Sequence, residues 1–509
     1  MGEDSERTVS VGGRAALAML LMVGFYGLAL GVIAGLLWIP YAEIAYAGRI
    51  HFRLAAFCLL GAGAIGWSIL PRRDRFEAPG PRLQPESHPR LFEVIEQVAE
   101  RTGQKMPSEV YAVAEVNAFV TERGGVMGVG SRRVMGIGIP LLQLLSVAQL
   151  RAVIAHEFGH FHGGDTKLGP WVYKTRAAIG RTLESLSESW LSKPFEWYGH
   201  LFVRISHAVS RRQELAADAL AARVAGARAL VEGLKRVSGG AAAYAAYWRQ
   251  EAQPVLSEGY RIPMANGFSH YLRAEPVLRA VQAHVDRALE EGSADPYDTH
   301  PCLRDRIAAV APQIDRDEPD DDRRALELLG EVASVETDLL ASRSSEQIAR
   351  SLKPISWEEV GTEVYAPAWR RHAVTYREVT SGLTVGGLPG AATDLAALAR
   401  RLPPKSREEG SEEQWQEMAA EVLAISLGVS LVEAGFTLRG LPGEPLLLER
   451  AGESVDATGT VRDLRRGALT PDAWADFCER HGLSNRSLQP EPAPDAPVEA
   501  PVRSRRRRR

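Results

Sequence analysis

The sequence predicts an α+β protein, mainly helical, with an N-terminal transmembrane helical hairpin, a central domain containing a small sheet, and a C-terminal soluble α+β region. Three observations carry this. Two apolar runs lie near the N-terminus, helical hydrophobic spacing dominates the rest, and a short central stretch is rich in β-branched residues and glycine. At 509 residues the chain is long enough for two or three compact units. With 45% hydrophobic and 24% charged residues it can bury an ordinary core. A formal net charge of −4 gives no whole-protein argument for a specific nucleic-acid partner. Cys58, Cys302 and Cys478 are too few and too scattered for a disulfide framework or a thiolate-rich metal site.

The hairpin rests on the runs Ala15 to Trp38, which carries no charge, and Leu54 to Leu70. About 20 apolar residues cross a bilayer core, so the first run is ample and the second is short but sufficient. Gly27, Gly31 and Gly35 share one helix face, where a neighbouring helix can approach closely, and Gly61, Gly63 and Gly66 offer a partner surface. Trp38, Tyr41, Tyr46 and Trp67 fall near the ends, at headgroup depth. A cleaved signal peptide ending at Ala45-Tyr46-Ala47 is the competing reading, but the apolar run is longer than a signal core and a second run follows. Residues 1–14 are thus a tail and 15–70 a hairpin in contact with the lipid bilayer. Arg7, Arg14, Arg72, Arg73 and Arg75 outside it, against Arg49 and Arg53 between its helices, favour a cell-membrane protein whose bulk is cytoplasmic.

Residues 71–89, rich in Arg, Pro and Glu, read as a juxtamembrane linker. Leu91, Val94, Ile95 and Val98 then mark an amphipathic helix. Tyr111 to Val120 and Val126 to Ile139 read as strands joined by a turn around Gly130-Ser131-Arg132-Arg133. Ser146, with Gln149 three residues on, opens a helix as a capping box, and Gly163-Gly164 closes it. Helical segments continue to about Val310, so the central domain is set at 90–310. The acidic run Asp315 to Asp322 marks a boundary, and 311–489 is a second soluble region of unassigned role. Within it Val422 to Val432 is too short to span a membrane and reads as a core helix capped by Ser411 with Gln414; Leu446 to Arg450 is a strand. Residues 490–509 form a disordered tail by composition, and its Arg505 to Arg509 run suits anionic lipid better than nucleic acid.

The capped helix contains His156-Glu157-Phe158-Gly159-His160, which is H-E-x-x-H. A helix turns about 100° per residue, so His156 and His160 project from one face, one turn apart, and can share one zinc ion per chain. Glu157 stands beside the first ligand, placed to take a proton from a zinc-bound water whose pKa the metal lowers to roughly 7. A third ligand is required. Glu214 and Asp218, four residues apart on a downstream helix, supply one: Glu214 as ligand, and Asp218 as acceptor for the His156 nitrogen that zinc does not use. A surface helix whose acids pair with Arg211 and Arg212 is the bland alternative. His162 lies about 240° round the helix from His156 and faces away. His207 lines the cleft at most.

At these residues the sequence resembles the HtpX-like and CAAX-prenyl-endopeptidase-like membrane zinc metallopeptidases, over roughly Arg90 to Val310 and the preceding hairpin. Val116-Asn117-Ala118-Phe119 resembles the family's edge-strand segment. Pro140-Leu141-Leu142 leading into His156-Glu157-Phe158-Gly159-His160 resembles its active-site helix, Glu214 with Ala217-Asp218 its third-ligand helix, and Thr299-His300-Pro301 followed by Arg306-Ile307 a downstream signature. The resemblance implies a zincin-like metallopeptidase domain. It implies that His300 stabilises an oxyanion or closes the zinc shell as a fourth ligand. Arg306 is then a second oxyanion donor, or simply pairs with Asp305. Asn117, Ala118, Phe119 and Val120 would receive the peptide as an added strand. HtpX itself has further membrane helices between the zinc motif and the third ligand. Here Lys174, Glu184, Lys193 and Glu196 interrupt that interval, and no spanning helix is expected.

The expected activity is therefore a membrane-anchored zinc endopeptidase acting on protein or peptide substrates, in quality control or in processing. A membrane scaffold or holdase with a closed structural zinc site is the reading from another class. Glu157 counts against it, since a structural site needs no general base.

Overall fold

The computed structural model describes residues 11–70, 76–123, 131–161, 169–186, 189–290, 301–316, 321–344, 346–407 and 410–491. The predicted strand-to-strand turn at Gly130, the helix stop at Gly163-Gly164, His162, His300 and the Arg-rich tail lie outside these residues, in whole or in part. The chain forms two compact units, Met1–Ala246 with Glu275–Arg350, and Tyr247–Ala274 with Ser351–Arg509. They do not follow the boundary expected at 310.

In the first unit, helices α1 (Val11–Ala47) and α2 (Phe52–Ile69) form the expected hairpin; both are long and apolar enough to cross a membrane. They pack through Phe25, Ala29, Leu36, Cys58, Ala62 and Ile65. Gly27, Gly31 and Gly35 are not the contact face: an added Cβ at any of them meets nothing within 4 Å. Phe25, Ala29 and Leu36, from a different face of α1, fill the interface instead.

Residues read as linker contribute a strand, β1 (Arg82–Leu83), paired antiparallel with β2 (Glu109–Val113). Leu83, buried beneath the sheet, is the apolar residue that the polar composition of the segment masks. Helix α3 (Pro89–Thr102) buries Leu91, Val94, Ile95 and Val98 as its spacing requires, and Gly103 closes it in the left-handed conformation. The stretch read as one strand from Tyr111 to Val120 is two. β2 runs parallel to β4 (Arg132–Gly138), while β3 (Ala118–Arg123) lies antiparallel to β4, giving the order β1-β2-β4-β3. The chain reverses between them because Gly138 permits close approach: a Cβ there would collide with the Glu115 carbonyl, and its N–H instead donates to Asn117 O at 2.9 Å. Arg132 and Arg133, expected in a turn, already belong to β4.

After α4 (Ile139–Leu144), Ser146 caps α5 (Val147–Gly159) through the reciprocal bonds with Gln149. α6 (Gly169–Ser185) and the 33-residue α7 (Lys193–Ala225) follow, then α8 (Ala227–Tyr247). α9 (Gln253–Ser257) and α10 (Met264–Arg273) belong to the second unit; α11 (Glu275–Glu290) and α12 (Leu303–Val310) return to the first. The end of the acidic run contacts the start of α5. Asp321 O and Arg323 O accept the first free N–H groups of α5, from Ala148 at 3.1 Å and Val147 at 2.8 Å.

The second unit is built round the helix Glu412–Glu433, capped by Ser411 and Gln414 as expected. By length and composition this helix too could cross a membrane. Its Val422, Leu423, Leu427 and Leu431 are instead buried in the unit's own core, with Leu388, Leu398, Leu448 and Trp474. A three-stranded sheet of Thr437–Arg439, Leu447–Arg450 and Glu453–Asp456 includes the predicted strand.

Candidate metal centre

The site forms where α5 crosses α7. His156 and His160 come from the last turn of α5 with their ring centroids 4.9 Å apart, and Glu214 comes from the middle of α7. One ligand atom from each of the three lies within 4.8 Å of the others. His156 Nε2 is 3.4 Å from Glu214 Oε2, and His160 Nε2 is 3.5 Å from Glu214 Oε1. Those separations are long for charged hydrogen bonds. They match the edge of about 3.4 Å that follows from a tetrahedron with zinc bonds near 2.0–2.1 Å. The donor set of two imidazoles and a carboxylate is one zinc accepts.

Behind the donors lies a buried ionic chain. His156 Nδ1 is 2.8 Å from Asp218 Oδ1, as the four-residue spacing of Glu214 and Asp218 predicts. Arg306, on α12, grips the same carboxylate with two bonds, Nε to Oδ2 at 2.8 Å and Nη2 to Oδ1 at 2.6 Å. Its Nη2 is also 3.3 Å from His156 Nδ1 and 4.0 Å from Glu214 Oε2. Arg306 therefore does not pair with Asp305, whose partner is Arg304 at 3.6 Å. Its guanidinium faces the back of the ligand shell, where it can orient Asp218. Burial opposes ionisation of Asp218, yet the bonds from Arg306 and His156 outweigh it and hold the carboxyl below its ordinary range. Burial likewise works against His156 carrying charge, but Asp218 and Glu214 lift its pKa to about 9 in the metal-free protein.

Glu157, next to His156, is largely buried between α5 and the edge strand β3. Burial pushes its pKa up to about 7; the charge of His156 opposes this and that of Glu214 adds to it. The N–H of Val120 donates to the Glu157 carboxylate. Val120 lies on β3, the edge strand of the sheet, so this N–H points to the open side. Antiparallel alternation turns the main-chain groups of Ala118 and Glu122 the same way. Asn117 precedes β3 and is tied to Gly138, and Phe119 lies across Gly136. The four residues expected to receive substrate thus sit on, or at the start of, the edge strand beside Glu157. Sequence reasoning missed the Val120–Glu157 bond and the true partner of Arg306, because neither is encoded in spacing along one element.

The sequence profile of Peptidase family M48 matches residues 85–313. Protease HtpX of Idiomarina loihiensis is 26% identical over 212 residues, covering 37% of this chain and 72% of that protein. Protease HtpX of Stutzerimonas stutzeri is 24% identical over 293 residues, 52% of this chain and 89% of that protein. Protease HtpX homolog 1 of Sulfurisphaera tokodaii is 42% identical, but over 81 residues, so the chain spans only 24% of its length. No solved structure matches the chain significantly. The profile begins at the turn before α3 and ends just after α12, enclosing every residue of the donor set and Arg306. Residues 85–313 thus match peptidase family M48, and the similarity to HtpX proteases runs through the same segment.

Proposed function

We infer that the protein is a membrane-anchored zinc metalloendopeptidase. The observation that carries this is the convergence of His156, His160 and Glu214 beside Glu157, whose pKa stands near 7. A scaffold site needs the first three groups but gains nothing from the fourth.

His156, His160 and Glu214 would hold one zinc ion, which when bound supplies Lewis acidity to a peptide carbonyl and to water. The chain's own groups do the rest. The open edge of β3 orders an extended peptide through main-chain bonds and sets its scissile bond over the cleft. Glu157, with a pKa near the working pH, removes a proton from the attacking water and returns it to the leaving amine. Asp218 fixes the His156 tautomer so that Nε2 faces the metal, and Arg306 keeps Asp218 charged and in place. His300 precedes α12 and is assigned the oxyanion or fourth-ligand role by resemblance; zinc content and kcat of His300→Ala, measured together, separate the two. The substrates are membrane-associated or unfolded proteins, and α1 with α2 holds the cleft near the bilayer, with the peptidase body in the cytoplasm.

The test is zinc analysis and casein digestion by the full chain in detergent, beside Glu157→Gln. The amide keeps the shape of the carboxylate but cannot accept the proton. Expected is unchanged zinc with digestion lost. Stoichiometric zinc with no digestion by the unaltered chain would favour the scaffold.

A further inference from the structure

The two histidines of the motif are held unequally. His156 is 7% exposed and backed by Asp218, whereas His160 stands at the end of α5 with 32% of its side chain exposed. His160 closes the helix in right-handed geometry, φ −62° and ψ −17°, and the next residue, Phe161, donates its N–H to Phe158 O at 2.9 Å. A helix end is where a chain frays, because its last carbonyls have no partner within the helix.

Contacts from other elements reach this end. The Arg133 guanidinium lies over the Phe161 ring, 4.3 Å from its centre. Gln104 Nε2 donates to Phe161 O at 3.4 Å. Arg133 Nη1 closes the triangle, donating to Gln104 Oε1 at 3.3 Å and to Lys105 O at 3.1 Å. Both partners of Phe161 have fixed backbones. Gln104 follows the left-handed Gly103 and donates its N–H to Ala99 O at 2.8 Å. Arg133 lies within β4, and its carbonyl accepts the Ser108 N–H at 2.8 Å.

We propose that Arg133 is a positioning residue for the metal centre: by holding Phe161 against β4 and the end of α3, it fixes the backbone that carries His160. This rests on the reading of His156, His160 and Glu214 as metal donors. A cation within about 6 Å of an aromatic centroid is attracted to the ring face, more strongly where water is removed. Arg133 is half-buried, and that burial works against its charge, with Glu122 in register on β3 opposing the effect. The Phe161 ring and the carbonyl oxygens of the Gln104 side chain and the Lys105 main chain replace the lost water. Methionine would fill much of the same space without burying a charge, so packing alone does not account for an arginine here.

The clamp also couples the second donor to the general base. Sheet and helix are tied twice, by the Val120 N–H to Glu157 and by Arg133 to Phe161. Val120 and Arg133 lie on paired strands, two register positions apart. One tie acts on the residue after His156, the other on the residue after His160. The edge strand, the proton acceptor and the second donor are thereby kept in one frame.

The test uses the full chain in detergent, loaded with Co²⁺, whose visible absorption reports the number and geometry of its ligands, or with zinc, whose affinity is read by chelator competition. Expected for Arg133→Met is a changed Co²⁺ spectrum and zinc affinity about tenfold lower, the low end of what partners behind a ligand usually contribute. Arg133→Lys keeps a cation over the ring and should recover most of both. Phe161→Leu leaves the bonds from Arg133 to Gln104 and Lys105 in place and should reproduce the loss. The double variant Arg133→Met with Phe161→Leu should lose no more, because both changes remove one contact. A lower Tm with Co²⁺ spectrum and zinc affinity unchanged in both single variants would make the triangle a staple of the fold and overturn the proposal. Losses that add in the double variant overturn the route through Phe161. Should Arg133→Met fail to fold, Phe161→Leu decides by the same two readouts. An unaltered chain that binds neither Co²⁺ nor zinc stoichiometrically would instead overturn the metal reading itself.

Discussion

Gly159, the last residue of α5, lies so close to Ala217 of α7 that an added Cβ would stand 2.8 Å from Ala217 Cα and 2.9 Å from its Cβ. This contact sets the distance between the helix that carries two metal donors and the helix that carries the third. Gly159→Ala must push two backbones apart, and overpacking of this kind costs about 1–3 kcal/mol. Because the displaced elements hold the donors, the loss should appear in zinc affinity, about tenfold per 1.4 kcal/mol. Chelator competition should show weaker zinc binding in Gly159→Ala, a larger loss in Gly159→Val, and partial recovery when Gly159→Ala is combined with Ala217→Gly. Equal affinity throughout would mean that the crossing does not set the donor geometry.

Arg306 holds Asp218 by two parallel bonds, and Asp218 in turn holds His156. Arg306→Lys keeps the charge and loses the fork. Removing partners behind a ligating histidine usually weakens metal affinity 10–100-fold. Asp218→Asn is expected at the upper end of that range, because it removes the charge facing His156 Nδ1–H and one of the two oxygens that accept from Arg306, and Arg306→Lys at the lower end. If Arg306 acts only behind the ligands, kcat at saturating zinc should fall little in Arg306→Lys. A kcat loss of 10²-fold or more with zinc affinity intact would make it an oxyanion donor after all.

Sequence made the donor set legible because all of it is periodic. His156 with His160 and Glu214 with Asp218 are each one helical turn apart, and the Ser146 capping box fixes where the first helix starts. Across elements the sequence is silent. Nothing in Thr299-His300-Pro301-Cys302 says that Arg306 will reach Asp218, 88 positions earlier. Charge counting in 71–89 hid one buried leucine, Leu83, that recruits the segment to the sheet. The glycines of α1 show the same limit: their spacing identifies a smooth face, but which face is used depends on the partner, and α1 packs through Phe25, Ala29 and Leu36. The helices of the charged interval before Glu214 pack on the apolar hairpin of α1 and α2, which the charges along that interval do not suggest.

Without metal, two groups at the site hold protons that the unfolded chain gives up more readily. His156 is raised from 6.5 to about 9, and Glu157 from 4.5 to about 7. Between these limits the folded metal-free state binds more protons than the unfolded state, so stability falls as pH rises. The Glu157 part is lost from about pH 4.5 to 7, and the His156 part from about 6.5 to 9. Metal binding requires His156 to give up the proton on its donor nitrogen, so zinc should stabilise most where that proton is already leaving. Thermal melts of chelator-treated protein should show Tm declining from pH 6 to 9, and the Tm gain on adding zinc should grow over the same range. A zinc-induced gain independent of pH would remove His156 as the coupled group.

The final prediction concerns residues beyond the family match, which brace the active-site helix from outside it. α5 begins with free N–H groups that need acceptors. Ser146 serves Gln149, while Arg323 O and Asp321 O serve Val147 and Ala148. The strap is held in turn by Ala325, whose N–H donates to Leu145 O at 2.9 Å, and Ala325 is fully buried. Ala325 opens a short 3-10 helix, and Arg324 before it is extended, with φ −67° and ψ 133°. Proline fits such a first position and prefers such a predecessor. Ala325→Pro suits the local φ but removes the hydrogen bond and sets its Cδ against Leu145 O, so the strap must part from Leu145 and leave that carbonyl unsatisfied, at a cost of at least about 1–3 kcal/mol. Ala325→Gly keeps the N–H and controls for the lost methyl group. The expected result is a lower Tm and a faster zinc loss to chelator in Ala325→Pro than in Ala325→Gly, because a loosened α5 start frees the helix that ends in His156 and His160. If both variants lower Tm equally and leave zinc release unchanged, the strap contributes packing alone and the helix is positioned by its crossing with α7.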